Sequence, residues 1–166
     1  MTTAASPTET VYQDLLATIR LSAGVQLLVA AGNIHGYEDE EEQVLGYHES
    51  GDMPHLEFRP VPGGQQWLRE DTDNSLAEVQ FKLVFLTDSE RLQGARGLWA
   101  VDWAIERALY ARLKLIKPGD AMIHLSRGPF SPLEPSKSER FAGERGWCAE
   151  MEITALIQFT DTTLTT

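Results

Sequence analysis

The alternation of apolar and polar residues is clearest over 76–86, near the middle of the chain. Every second residue is apolar there, which is typical of a strand with one buried face. The residues of this apolar face are Ala77, Val79, Phe81, Leu83 and Phe85. Val84 and Leu86 add apolar side chains on the opposite face, so we expect that end of the strand to be covered on both sides.

A helix is predicted over 90–113, shortly after this strand. The apolar residues now recur every three or four positions, as on the buried face of a helix. They are Leu98, Val101, Ile105 and Leu109, with Trp99 and Trp103 one turn apart beside them. Asp88 or Ser89 supplies a side-chain oxygen for the N-cap. We therefore expect the helix to lie back on the strand that precedes it.

The chain opens with another predicted helix. Ser6 and Glu9 have the spacing of a capping box, and Pro7 stands where a helix best tolerates proline. The apolar stripe of this helix is Tyr12, Leu15, Leu16, Ile19 and Ala23. Gly24 is expected to end it. The apolar run at 25–31 then predicts a short buried strand.

The pattern is weaker between residues 32 and 75, where glycine and proline are frequent. We expect loops here, with one strand near His55–Arg59 and a second over 65–69. Pro54 and Pro60 flank the first of these strands. Because proline lacks the N–H donor that an interior strand needs, this strand is expected to be short or to lie at a sheet edge.

Two further strands are predicted after the second helix, over 121–127 and 147–160. In the first, Ala121, Ile123 and Leu125 alternate with Met122, His124 and Ser126. The second has the longest clean alternation in the chain, and we expect the two strands to pair as a hairpin. The loop 127–146 between them far exceeds the roughly two to five residues that a hairpin needs. A loop of this length is expected to contact a partner.

These elements predict an α+β fold, with two main helices packed on one face of a mostly antiparallel sheet and a long loop in the C-terminal hairpin. The 166 residues suit a single domain (1–166), since a chain of this size buries roughly 70% of its unfolded surface. Residues 1–5 and 161–166 are expected to fray. The predicted core under helix 90–113 contains Phe81, Leu83, Phe85, Met151, Ile153 and Ile157.

The formal net charge of −11 is unevenly distributed. The segment 32–57 has eight acidic residues and no lysine or arginine, whereas the segment 91–117 has six basic and two acidic residues. A protein that grips nucleic acid needs clustered lysine and arginine to neutralise phosphates. The composition therefore argues against specific DNA binding, although DNA could pass such a surface without being held.

The sequence shows no signal for a membrane or for secretion. No basic region followed by an apolar run opens the chain, and no stretch approaches the roughly 20 apolar residues that cross a bilayer. We therefore expect a soluble protein. Cys148 is the only cysteine, which excludes an intramolecular disulfide. A free thiol is more typical of a protein assembled in a reducing cytosol.

The sequence carries no specific metal-ligand motif. His35, His48 and His55 share the acidic segment with carboxylates, but none has the spacing of a known ligand motif. The acidic run is consecutive, so its backbone would have to fold back sharply to converge on one ion. The run comprises Glu38, Asp39, Glu40, Glu41 and Glu42. We expect a solvated surface there, and we predict no metal and no cofactor.

The candidate catalytic groups also lack a supporting motif. His124 and Ser126 project from the same side of a predicted strand, as a base and a nucleophile do, but no nucleophile-elbow motif accompanies them. We interpret His124 and Ser126 as ordinary residues of a sheet. Asp102 is expected to be exposed, because no base lies three or four residues away to neutralise it. Pro62-Gly63-Gly64 lacks the Lys-Ser/Thr of a phosphate loop, so the sequence predicts no enzyme.

Three blocks of the chain resemble the tail terminator (tail completion) proteins of tailed bacteriophages. They are TVYQDLLATIRLSAGVQLLVAAG, EVQFKLVFLTDSERLQGARGLWAVDWAIERAL and GWCAEMEITALIQFTD. The resemblance implies a structural virion protein that forms a homohexameric ring on the tail tube, fixes the tube length and joins the tail to the head or neck. It implies no catalysis. It also implies a place at the head-proximal end of the tail, after assembly in the host cytoplasm.

The implied partners are further copies of this chain, the tail tube protein and a neck or head-completion protein. DNA would pass through the ring as an ejection channel, without specific binding, and no membrane is involved. The residues assigned to these contacts are Arg127, Lys137, Arg140, Arg145, Trp99 and Trp103. The acidic run either lines the lumen, where it would repel DNA, or meets the basic segment 91–117 of the next subunit.

Two alternatives stay open. A head–tail connector or another tail-tube component belongs to the same class of assembly. A small α+β enzyme with a metal in an acidic pocket belongs to a different class, and it would be active as a small species rather than as a ring.

Overall fold

The computed structural model describes residues 6–36, 54–69, 74–87, 92–136 and 146–160, and these form an α+β fold. The helices are α1 (Pro7–Arg20), α2 (Ala23–Gln26) and α3 (Leu92–Lys114). The strands are β1 (Ile34–His35), β2 (His55–Arg69), β3 (Asn74–Thr87), β4 (Met122–Arg127), β5 (Glu134–Ser136) and β6 (Gly146–Thr160). The predicted fold class is confirmed.

The six strands form one sheet in the order β1-β2-β3-β6-β4. Strand β5 pairs with the start of β6, on the side of β6 where β4 pairs further along. Only the β1–β2 pair is parallel among the strands described. The long strands β3 and β6 pair along their whole length, from Asn74 opposite Thr160 to Thr87 opposite Trp147. They form the centre of the sheet, and α1 and α3 cover one of its faces.

Helix α1 begins where the sequence predicts. The Ser6 Oγ accepts a hydrogen bond from the Glu9 backbone N–H at 3.1 Å, and Pro7 is the first helical residue. The stripe from Tyr12 to Ile19 is buried. The helix ends at Arg20 rather than at Gly24, so Ala23 belongs to α2 and is exposed.

The strand predicted at 25–31 is wrong. Ser22 caps the short helix α2, and a 3-10 turn at Ala31–Asn33 follows before β1. Val25 and Val29 are buried four residues apart, and the Val29 N–H donates to the Val25 carbonyl at 2.8 Å. A short apolar run has no period that separates a strand from a helix. The helical cap at Ser22 and the packing of Val25 and Val29 into the core decide the conformation here.

The two strands predicted at 55–59 and 65–69 form one strand, β2, interrupted by a bulge. Pro60 pairs with Phe81 and Gln65 pairs with Val79, so β2 carries extra residues between these positions. Gly63 has a φ of +70°, a conformation that favours glycine. The prediction that the strand near His55–Arg59 is short or at a sheet edge is wrong, because β2 is 15 residues long and lies between β1 and β3 at Leu56 and Glu57. The pairing with β1 ends at Glu57, before Pro60.

Strands β3, β4 and β6 and helix α3 are confirmed within a few residues of their predicted bounds. Strand β4 differs in one respect, because its register shifts between Met122 and His124. Met122 and Leu125 are therefore both buried, whereas Ile123 is partly exposed. The strict alternation predicted for 121–127 fails at this bulge.

The loop predicted at 127–146 follows the edge of β6 at its start. The Gly128 N–H donates to the Glu152 carbonyl at 2.9 Å, and the Ser131 N–H donates to the Glu150 carbonyl at 2.8 Å. Strand β5 then continues this pairing as far as Ser136 opposite Gly146. Residues 137–145 lie outside the part of the chain that the structure describes.

The main core lies between the sheet and the helices, and all six core residues predicted from the sequence are buried. Tyr12 of α1 stacks on Phe58 with ring centroids 4.9 Å apart, and its hydroxyl donates to the Phe58 carbonyl at 2.5 Å. On the opposite face of the sheet, Val84 and Leu86 are also buried, with Cys148 packed against them. The prediction that this end of β3 is covered on both sides is confirmed.

Candidate interaction surface

Helix α3 presents aromatic side chains to solvent. Its inner face buries the predicted residues Leu98, Val101, Ile105 and Leu109. Because 3.6 residues make one turn, the side chains of Trp99, Trp103 and Tyr110 fall on the other side of the helix. Trp99, Trp103 and Tyr110 are 71%, 63% and 56% exposed. We define the outer stripe of α3 as Arg96, Trp99, Trp103, Arg107, Tyr110 and Lys114, all of which are exposed.

A groove of about 500 Å³ lies between α2 and α3, beside this stripe. We call it the α2–α3 groove. Leu27 and Leu28 stand on the α2 side, and Trp103 stands on the α3 side. Leu27 is 87% exposed. The remaining lining residues are Ser22, Gly24, Ala100, Ala104, Arg107, Ala108 and Ala111.

Small residues let α2 approach α3 closely and leave the groove open above them. An ideal Cβ built on Gly24 would lie 4.0 Å from the Ala104 Cβ, so only about a methyl group would fit between the two helices there. Alanines along this side of α3 fill little of the space between Leu27 and Trp103. The result is a concave apolar surface with large side chains at its rim.

The charges on this surface are basic. Arg107 lines the α2–α3 groove, and Arg96 and Lys114 continue along the outer stripe. The Lys114 Nζ lies 4.6 Å from the centroid of the Tyr110 ring, within the range of a cation–π contact. Among the described residues, none that lines the groove is acidic. The surface therefore combines tryptophan, tyrosine and arginine, the side chains that are enriched in protein–protein interfaces.

The acidic residues of α3 point elsewhere, because Arg127 of β4 holds them. The Arg127 Nη1 donates to the Asp102 Oδ1 at 2.6 Å, and its Nε donates to Glu106. Burial lowers the pKa of Arg127, but these hydrogen bonds outweigh burial, and the pKa is raised above its ordinary value. Asp102 is thus partly buried and paired, not simply exposed as predicted. Its partner comes from a distant part of the chain, which spacing along the helix cannot reveal.

A second ion pair ties α3 to α1. The Arg112 Nη2 donates to the Asp14 Oδ2 at 2.6 Å, and its Nε donates to the Asp14 Oδ1 at 2.9 Å. The hydrogen bond from Arg112 to Asp14 raises the pKa of Arg112, while burial opposes the shift. Together with the Arg127 cluster, this pair fixes the orientation of α3 and hence the direction of its outer stripe.

The predicted contact residues separate into three groups. Trp99 and Trp103 lie on the outer stripe. Arg127 is used within the chain, where it binds Asp102 and Glu106. The rest lie outside the described residues: Lys137, Arg140, Arg145, Glu38, Asp39, Glu40, Glu41 and Glu42.

The candidate metal ligands come together only in part. The rings of His35 and His55 stack with centroids 5.2 Å apart, and the His35 Nε2 lies 2.9 Å from the His55 Nδ1. His48 falls outside the described residues. Within residues 6–36, 54–69, 74–87, 92–136 and 146–160, no group of three or more His, Cys, Asp or Glu is placed to hold an ion. His124 and Ser126 are both exposed on β4, at the edge of the sheet.

Sequence patterns do not single out Leu27, Arg107 and Tyr110 as parts of this surface. Leu27 falls in the run that wrongly predicts a buried strand, so the sequence predicts that its side chain is buried. Arg107 and Tyr110 continue the helical spacing of Trp99 and Trp103. That spacing is the signal that could have found them.

The described helices include none that is both long and apolar enough to cross a membrane. No protein-family model and no curated protein matches the sequence. Among solved structures, the fold is similar to that of a chain in a structure of the virion of a native gene transfer agent particle. The TM-score is 0.57 at 12% sequence identity, over 94% of this chain and 100% of that chain. At this identity the likeness shows a common fold.

Proposed function

We propose that the protein is a structural component of a phage-like virion and that it forms the ring that terminates the tail tube at its head-proximal end. The observation that carries this proposal is the extent of the fold likeness, which spans the whole of a chain from a virion particle. Three sequence blocks that resemble tail terminators support the finer assignment. The role in assembly is non-enzymatic.

The exposed aromatic surface supports a role in assembly. Large apolar side chains that cluster on a surface mark contacts with partners, and tryptophan, tyrosine and arginine dominate the energetics of such contacts. The outer stripe of α3 brings these residue types together on one rigid helix. Ion pairs to α1 and β4 hold that helix in place, which suits a subunit that must present a fixed surface to its neighbours.

Charge supports the passage of DNA. With a formal net charge of −11, a ring of this chain would repel DNA over most of its surface rather than bind it. The basic residues of the outer stripe would then face a neighbouring subunit or protein, not the lumen.

Deletion of the gene in a particle-producing strain tests this function. We expect tail tubes of variable length that fail to join heads, because nothing stops tube growth or completes the joint. Restoring the wild-type chain should restore a single tail length. Loss of a connector, the nearest alternative, would instead leave tails of normal length beside unattached heads. Normal virions from the deletion strain would contradict the proposal.

A further inference from the structure

The α2–α3 groove leaves more apolar surface uncovered than any structural need of the single chain explains. Leu27 is 87% exposed and Trp103 is 63% exposed, although both lie beside a well-packed core. Water remains in contact with these side chains instead of being released. A partner that covers the groove would release it and gain the free energy of burial.

The charge around the groove restricts the partner. Arg107 lines it, Arg96 and Lys114 flank it along the outer stripe, and its lining among the described residues contains no carboxylate. A basic partner would be repelled, whereas an acidic one would be attracted and oriented. The chain itself is acidic, with a net charge of −11 and eight carboxylates but no lysine or arginine between residues 32 and 57.

We propose that the α2–α3 groove binds a second copy of this chain, which approaches with an acidic part of its surface. This inference rests on the proposed function in one respect, since it names the partner of the surface through which the ring would assemble. The apolar rim of Leu27 and Trp103 supplies the anchor, and Arg107 and Lys114 select the acidic surface.

The contact joins two different surfaces of the chain. A contact that packs the outer stripe against the same stripe of a partner is disfavoured, because Arg107 and Lys114 of both copies would meet and repel. The basic groove of one copy therefore meets an acidic surface of the next, and in the proposed ring this contact repeats head to tail. Repeated contacts of this kind close into a ring when the rotation between copies permits closure.

Photochemical cross-linking of the full chain tests the identity of the occupant. A benzoylphenylalanine side chain replaces Trp103, and the protein is irradiated both in purified form at high concentration and in particle-producing cells. We expect a covalent product of twice the chain mass that contains two copies of this chain. High salt before irradiation should reduce its yield, because the attraction depends on charge. Benzoylphenylalanine in place of Leu115, which is exposed at the end of α3 but does not line the groove, serves as the control.

Variants test the chemistry of the contact. The double change Leu27→Ser and Trp103→Ser should weaken self-association at least about tenfold, the scale of a lost interface anchor, whereas Leu115→Ser should leave it unchanged. Arg107→Glu with Lys114→Glu should weaken it and reverse its salt dependence. Circular dichroism and unfolding midpoints confirm that each variant is folded.

Three outcomes would overturn the inference. Cross-links from position 103 to a different virion protein would assign the groove to that protein and leave the virion function standing. Cross-linking to no protein, in purified form and in cells, would show that the groove is not an interface. Equal effects of the groove variants and Leu115→Ser would show that the groove is not the contact. Covalent dimers from a chain that is absent from purified particles would support the inference while contradicting the proposed function.

Discussion

Phe81 shows how much of the core is decided residue by residue. It lies at the centre of the sheet on the face covered by the helices, it is 1% exposed, and its ring lies 5.4 Å from that of Phe58 and 5.7 Å from that of Tyr12. Period-2 alternation alone predicts its burial, because a strand has only two faces and the polar residues mark one of them.

The change Phe81→Ala tests that packing. We expect it to lower the free energy of unfolding by about 3–5 kcal/mol, since a buried phenylalanine loses its transfer energy and leaves a cavity. Denaturant unfolding measures the effect, with Leu115→Ala as an exposed control. A loss below about 1 kcal/mol, the range of ordinary surface changes, would show that the ring is not in the core.

The space around Gly64 shows that Pro62-Gly63-Gly64 serves the close packing of the β2 bulge. A Cβ at Gly64 would lie 2.9 Å from the Val61 carbonyl oxygen and 3.2 Å from the Gln80 carbonyl oxygen, and backbone atoms cannot move aside cheaply. We expect Gly64→Ala to destabilise the protein by about 1–3 kcal/mol, as overpacking does.

Gly128→Ala is the matched control, because a Cβ there meets nothing within 4 Å. Thermal unfolding of both variants is the measurement. Equal midpoints for Gly64→Ala and the wild type would mean that the bulge in β2 tolerates a side chain and that its glycine is not required.

At the scale of elements, long periodic segments are predictable from the sequence and short ones are not. Strands β3 and β6 and helix α3 carry many turns or alternations, and each is predicted to within a few residues. The run at 25–31 is too short for its period to distinguish a strand from a helix, and tertiary packing of Val25 and Val29 decides it. The bulges at Pro60 and Ile123 arise from pairing between strands, which a single strand's sequence does not encode.

The ion pairs of α3 give the next prediction. Arg127 joins β4 to Asp102 and Glu106 of α3, and its side chain is 18% exposed. We expect Arg127→Ala to lower the free energy of unfolding by about 1.5–3 kcal/mol, the range for hydrogen bonds to charged groups. Arg107→Ala, which changes an exposed residue of α3, should have little effect on the free energy of unfolding.

The pH dependence of this contribution follows from the direction of the Arg127 pKa shift. The pKa of Arg127 is raised in the folded protein. Such a group stabilises the folded protein at every pH below its unfolded pKa, and this stabilisation is lost only as the pH rises through its folded pKa. Both pKa values lie far above neutrality for arginine. Titration of Arg127 therefore leaves the free energy of unfolding unchanged across the neutral range, and urea unfolding at several pH values in that range checks this.

Equal stability of Arg127→Ala and the wild type at neutral pH would show that the ion pairs of Arg127 with Asp102 and Glu106 do not hold α3.

At the scale of the whole molecule, the sequence predicts two of the residues on the candidate surface but not the surface itself. Trp99 and Trp103 are expected at contacts with partners, and both lie on the outer stripe. The groove beside them depends on α2, an element that the apolar run conceals. A concave site formed by two elements requires their relative position, and the amino-acid pattern of either one alone does not provide it.

Arg140 and Arg145 of the loop 127–146 are also considered at the scale of the whole molecule, because their proposed partner is another protein. We expect Arg140→Glu with Arg145→Glu to slow assembly of full-length tails and to alter its salt dependence while leaving the free energy of unfolding unchanged, since charges at a contact act mainly on encounter rate. Assembly kinetics at two salt concentrations are the measurement. Arg140→Lys with Arg145→Lys, which keeps both charges, is the control and should assemble at the wild-type rate. Assembly at the wild-type rate would remove the loop from the contact.

The most direct measurement of the central claim is a reconstruction, by electron cryomicroscopy, of the particle in which the chain is made. We predict a single ring of this chain at the head-proximal end of the tail tube, with six copies expected from the resemblance to tail terminators, and with the outer stripe of α3 buried against a neighbour. Density for the chain in the capsid, at the distal end of the tail, or nowhere in the particle would contradict the account.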